Sequence, residues 1–196
     1  MSVKGLARKQ VLGVVGSPRR GGNTEILVDE VLAGAEEAGA LVEKVLLGKL
    51  DIAPCRACNA CQKTGQCVQK DDIPALLEQM QRSQVWVLGT PVYWWGPTAQ
   101  FKIFLDRWYG ARQVTFAGRR VILAIPLGGS AGYAQHTVGM LTDTLDYLRT
   151  ELVATVLAPG AYDLGAVRRH ADVLAKARRA GREAVEMQTH KRSIAK

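Results

Sequence analysis

Residues 10–38, QVLGVVGSPRRGGNTEILVDEVLAGAEEA, decide the reading of this chain. Val11, Leu12, Val14 and Val15 make a short apolar run suited to a strand covered on both faces, and Gly16-Ser17-Pro18 breaks it. Leu27, Val31, Ala35 and Ala38 then recur on one face at helical spacing, with Asn23 or Thr24 placed to cap the first turn. Such a loop brings free backbone N–H groups and the positive end of a helix dipole to one point. Ser17, Arg19, Asn23 and Thr24 add hydroxyl, guanidinium and amide donors there, so the stretch predicts a cradle for one phosphate monoester.

Two other phosphate loops are excluded by spelling. Gly16 and Gly21 have the Walker A separation, but Gly22-Asn23 stand where that motif needs Lys and Ser/Thr, which removes the charge and the magnesium ligand of a nucleoside triphosphate site. The dinucleotide fingerprint fails because Gly13 and Gly16 are too far apart and the third glycine is misplaced.

At 196 residues and 47% hydrophobic, without a Pro/Ser/Gly-rich linker, the chain is expected to form one domain, with residues 1–9 as a basic extension and 188–196 as a basic tail. The N-terminal ten residues lack an apolar signal core and no run approaches the length of a membrane span, so a cytoplasmic protein is expected. The net charge is +8, of which +5 falls in residues 163–196. Without a recognition motif or interleaved aromatics, that excess reads as a solvated helix face and tail rather than a nucleic-acid surface.

Further along, residues 41–47, 85–88, 121–125 and 153–157 read as strands. Helical patterns lie between and after them, marked by Ile73, Leu76, Leu77 and Met80, by Phe101, Phe104, Leu105 and Trp108, by Leu141, Leu145 and Leu148, and by Val167, Leu174 and Ala177. Five apolar strands alternating with five helices predict a doubly wound α/β fold with a five-stranded parallel sheet. Its ligands bind beyond the C-terminal strand ends, where the loops after strands one, three and four converge. The second of these loops offers Pro91, Val92, Tyr93, Trp94 and Trp95, and the third offers Gly128, Gly129 and Ser130. Together they suggest a phosphorylated aromatic cofactor. Asp106 and Arg107 read as a structural or exposed pair, and His136, His170 and His190 are isolated, with His136 alone near the expected site.

The segments GSPRRGGNTEIL and PVYWWGPTAQFKIFLDR and the cysteine-bearing loop resemble the NAD(P)H-dependent FMN reductase branch of the flavodoxin-like superfamily, which includes iron–sulfur flavoproteins. The resemblance implies FMN, with Ser17, Arg19, Asn23 and Thr24 on its phosphate and Pro91 to Trp94 and Gly128 to Ser130 bordering the isoalloxazine ring. It also implies hydride uptake from NAD(P)H and a second acceptor such as a quinone, flavin or nitroaromatic, or a redox carrier protein. No acid or base is required, because the chemistry belongs to the cofactor. A homo-oligomer, dimer or dimer of dimers, is expected from the same likeness.

All four cysteines, Cys55, Cys58, Cys61 and Cys67, lie in the connection of residues 49–71 with the spacing C-x2-C-x2-C-x5-C. Four soft thiolates in one loop suit a [4Fe–4S] cluster, and the spacing is similar to that of iron–sulfur flavoproteins. Zinc and uncoordinated redox-active thiols are the alternatives.

Overall fold

A computed structural model describes residues 8–110 and 116–187. Most of the expected N-terminal extension, the basic tail and His190 lie outside the described residues. Among those described, β1 (Gln10–Val15), β2 (Leu41–Leu46), β3 (Val85–Gly89), β4 (Arg120–Pro126) and β5 (Glu151–Ala158) form one sheet in the order β2-β1-β3-β4-β5. Every pairing is parallel, and β1 pairs with both β2 and β3.

The sheet is buried on both sides because its strands are apolar at consecutive positions. Val11 and Val15 of β1 pack on α1 (Asn23–Glu37) and on the last helix, while Leu12 and Val14 face the opposite core. That second core holds α3 (Ile73–Arg82), α4 (Ala99–Asp106) and α5 (Gln135–Tyr147), each placed there by the residues that marked it in sequence. The last helix, α6 (Ala171–Glu186), lies against α1. A short helix, α2 (Ala60–Thr64), sits inside the cysteine loop, where no periodic pattern announced it.

Several boundaries differ from the sequence reading. The third expected helix ends at Asp106 and continues as a 3-10 turn over Arg107–Gly110, and it starts earlier because Thr98 caps it, accepting from Phe101 N at 3.2 Å. Val167 belongs to a separate 3-10 turn, Ala166–Arg169, ahead of α6. Helix α1 is capped by neither Asn23 nor Thr24: Gly22 holds the cap position without a side-chain bond. Asn23 is committed elsewhere, as described below. Asp106 and Arg107 do not pair with each other; Asp106 bonds Lys102 at 2.6 Å, whereas Arg107 is buried against Asp71.

Candidate functional site

Because β2 and β3 flank β1 on opposite sides, the chain reverses direction across the sheet at the C-terminal ends of β1 and β3, and a crevice opens there. Backbone bonds tie its loops together. Gly16 N donates to Gly89 O at 2.7 Å, Thr90 N to Ala124 O at 3.1 Å, and Val92 N to Pro126 O at 3.3 Å. Buried Thr98 adds two more ties, its hydroxyl donating to Gly16 O and its N–H to Thr90 Oγ1 at 3.1 Å.

One end of the crevice is lined by Ser17, Arg19, Asn23 and Thr24. The first intrahelical bond of α1 runs from Ile26 N to Gly22 O at 3.0 Å, so the N–H groups of Asn23 and Thr24 precede the helical ladder and suit an anion. Glu25 braces the turn by accepting from Gly21 N at 2.8 Å, while Lys44 holds its other oxygen at 2.8 Å. The Lys44 hydrogen bond keeps the Glu25 carboxyl below the usual carboxylate range against the opposing effect of burial, aided by Gly21 N–H and Arg20. Its negative charge is thereby balanced beside the cradle.

The other end is lined by Trp94, Trp95, Gly129 and Tyr133, and Val92, Leu127 and Gly128 belong to both ends, which makes one continuous trough. Tyr93-Trp94-Trp95-Gly96 form a tight turn closed by Tyr93 N to Gly96 O at 2.8 Å and Gly96 N to Tyr93 O at 3.0 Å. Trp94 (φ 50°) and Trp95 (φ 62°) are both left-handed, which costs bulky residues on the order of 1 to 3 kcal/mol each. Thr137 Oγ1 donates to Trp95 O at 2.8 Å and holds this turn from α5. Neither tryptophan is core: Trp94 is 91% exposed and Trp95 47%. Gly128 and Gly129 line this end and also make room for neighbouring rings. A Cβ at Gly128 would lie 2.8 Å from the Tyr162 ring and one at Gly129 2.3 Å from the Tyr133 ring, so these glycines admit two tyrosines. Ser130 and His136 are not among the trough-lining residues.

Sequence reading missed Tyr133, Ala161 and Tyr162. It also misread Asn23, whose amide Nδ2 donates to Ala161 O and Asp163 O, both at 2.8 Å, and whose Oδ1 accepts from Val167 N at 3.0 Å. Both amide donors are thus engaged by the loop after β5, and only the Asn23 backbone N–H remains for a phosphate. The donors, the apolar aromatic end and the continuous trough fit FMN.

The cysteine loop lies against the Arg107–Gly110 turn. Arg107 donates to both Asp71 carboxylate oxygens, to Ala53 O at 2.7 Å and to Cys67 Sγ at 3.3 Å. Tyr109 OH donates to Asn59 Oδ1 at 3.2 Å, and a Cβ at Gly110 would meet Cys61 Sγ at 3.2 Å. Burial raises the Cys67 pKa, and hydrogen bonds from Gln69 together with the Arg107 charge bring it below its ordinary value. All four thiols are free. Their chemistry suits a cluster, but among the described residues no three His, Cys, Asp or Glu side chains are gathered as a metal site.

A parallel sheet of this order with a crevice at its switch point defines a flavodoxin-like protein. The chain belongs to the NADPH-dependent FMN reductase family, whose profile matches residues 10–165. It is similar to an iron–sulfur flavoprotein of Methanocaldococcus jannaschii, 36% identical over 128 residues that cover 65% of this chain and 66% of the relative. An iron–sulfur flavoprotein of Archaeoglobus fulgidus is 35% identical over 156 residues, covering 80% of this chain and 68% of the relative. The chain thus spans about two thirds of these relatives' length. Among solved structures, the NAD(P)H:quinone oxidoreductase from Methanothermobacter marburgensis shares the fold with a TM-score of 0.72 at 20% identity, covering 93% of this chain and all of that one.

Proposed function

We propose that this protein is an FMN-dependent oxidoreductase that takes hydride from NAD(P)H and passes electrons to a small acceptor such as a quinone, flavin or nitroaromatic. The observation that carries this reading is the single trough joining a helix N-terminus to an apolar, aromatic end in a chain of this family. FMN, when bound, supplies the redox chemistry; the protein binds and orients it. Ser17, Arg19, Thr24 and the first N–H groups of α1 hold the phosphate, and Pro91 to Trp94 with Gly128 and Gly129 border the ring. Mass spectrometry of the released cofactor, followed by NAD(P)H oxidation assays on reconstituted protein, tests the reading; FAD alone, or no flavin uptake, overturns it.

Arg19→Ala and Thr24→Ala are each expected to weaken FMN binding by about ten- to a hundredfold, the roughly 1.5 to 3 kcal/mol of one charge-assisted bond, without unfolding the chain. Fluorescence titration checks this, and unchanged affinity in both would move the phosphate elsewhere.

A second reading, an iron–sulfur flavoprotein that exchanges single electrons, is favoured by one observation: four free thiols at C-x2-C-x2-C-x5-C in a chain whose relatives carry that name. Iron and acid-labile sulfide analysis of anaerobically prepared protein decides it. A cytoplasmic location fits the finding that no described helix is long and apolar enough to cross a membrane. The exposed Tyr93, Trp94 and Tyr133 at the trough mouth support a homo-oligomer, which sizing by light scattering tests.

A further inference from the structure

The loop after β5, residues 159–170, starts from the sheet edge, two strands removed from β3 and three from β1. Topology alone gives it no reason to reach the phosphate cradle beside β1. It arrives by two sets of bonds. Leu127 N donates to Ala158 O at 3.0 Å, Ala161 N to Leu127 O at 2.9 Å and Gly160 N to Gly129 O at 3.1 Å, which lays the loop along the one after β4. Asn23, the first residue of α1 and 8% exposed, then takes three of its backbone groups, the carbonyls of Ala161 and Asp163 and the N–H of Val167.

The side chain delivered by this clamp is Tyr162. Its ring lies where a Gly128 Cβ would intrude at 2.8 Å, and the Arg19 guanidinium stands over it, 6.0 Å from the centroid. Arg19 Nη1 also donates to Tyr162 O at 3.0 Å. A surface tyrosine with no role would need neither a glycine opposite its ring nor an arginine above it. Tyr162 lines the phosphate end of the trough beside Gly128, which belongs to both ends, and the residue is 70% exposed, so surface is left for a ligand.

We propose that Tyr162 is a further wall of the cofactor site and that Asn23 is the positioning residue that hangs it there. The loop after β5 then joins the loops after β1, β3 and β4 as a binding element, and Arg19 links the aromatic wall to the phosphate end. Asn23 serves the site through its side chain's grip on that loop. This inference rests on the FMN reading above.

The test is FMN titration of wild type, Tyr162→Phe, Tyr162→Ala, Asn23→Ala and the Asn23→Ala/Tyr162→Ala double variant. The ring is the contacting group and its hydroxyl is not used, so Tyr162→Phe should bind as wild type does. Tyr162→Ala and Asn23→Ala should each weaken binding by about tenfold or more, and Asn23→Ala should add less than about threefold in the Tyr162→Ala background, because coupled residues are not additive. Hydrogen exchange over residues 159–167 should rise in Asn23→Ala and stay near wild type in Tyr162→Ala, which separates the clamp from the wall. Because Tyr162 is exposed, its variants keep the fold even if Asn23→Ala does not. Wild-type protein that takes up no FMN overturns the cofactor reading and this inference together. Tight FMN binding that neither single alanine variant alters, or a full Asn23→Ala effect without Tyr162, overturns this inference alone.

Discussion

Arg107→Ala should lose about 3 to 5 kcal/mol of stability, the cost of leaving one member of a buried ion pair without its partner. The side chains of Arg107 and Asp71 are 2% and 4% exposed, and Arg107 bonds both oxygens of the carboxylate. The same guanidinium holds Ala53 O and Cys67 Sγ, so the substitution also frees the cysteine loop on both sides of its thiols. Urea unfolding should show the loss, and hydrogen exchange should rise across residues 49–71 before it rises in the sheet. A cost under about 1 kcal/mol, the range of exposed pairs, would mean that the pair is not desolvated in solution.

Acid gives the same prediction a sign. Burial raises the Asp71 pKa, but the Arg107 hydrogen bonds and the N–H groups of Ala53 and Ile73 outweigh it and leave the carboxyl below its ordinary value. Its unfolded value is about 3.9. The stabilisation is therefore complete well above that pH and is lost as pH falls through the lower folded value, because the unfolded chain takes up its proton first. In Arg107→Ala the burial effect is left with fewer opponents, the carboxyl protonates more readily, and the deficit against wild type should shrink below about pH 4.

Gly34→Ala has the second largest expected effect, and two principles disagree about its direction. In a helix interior the change should stabilise by up to about 1 kcal/mol through propensity. Here the added Cβ would lie 1.8 Å from Arg178 O, and the reciprocal contact puts a Gly181 Cβ 1.9 Å from Val31 O. Both obstacles are backbone, so α1 and α6 must separate rather than a side chain turning. Overpacking of this kind costs about 3 kcal/mol, which exceeds the propensity gain. Gly139→Ala in α5 is the control, since nothing lies within 4 Å of its Cβ position, and it should be neutral or slightly stabilising. Thermal melts of the two variants should move in opposite directions; if both rise, α1 and α6 do not pack this closely.

The strands were legible because each depends on a run of apolar residues that a sheet covered on both sides requires, as in Val85-Trp86-Val87-Leu88. The phosphate loop was legible for a similar reason: Gly16-Ser17-Pro18 ends β1 and the periodic residues of α1 begin within one turn of Asn23, so the donors fall together by local geometry. The aromatic turn was legible as a loop feature, although its left-handed tryptophans were not, since nothing local favours φ above zero at Trp94 and Trp95.

The chain's amino-acid pattern alone determined the strands and helices of the doubly wound fold, its three unusual loops and the four thiols in one connection, all of which are read from residues a few positions apart. Tertiary structure alone decided that Asn23 holds a loop lying 138 to 144 residues away, that Arg107 pairs with Asp71 rather than Asp106, and that Gly34 and Gly181 each make room for the backbone of the facing helix. The physical reason is one of range. Periodicity and capping report the i to i+4 environment, whereas the partner of a buried amide, guanidinium or glycine is chosen by which strands the topology makes neighbours.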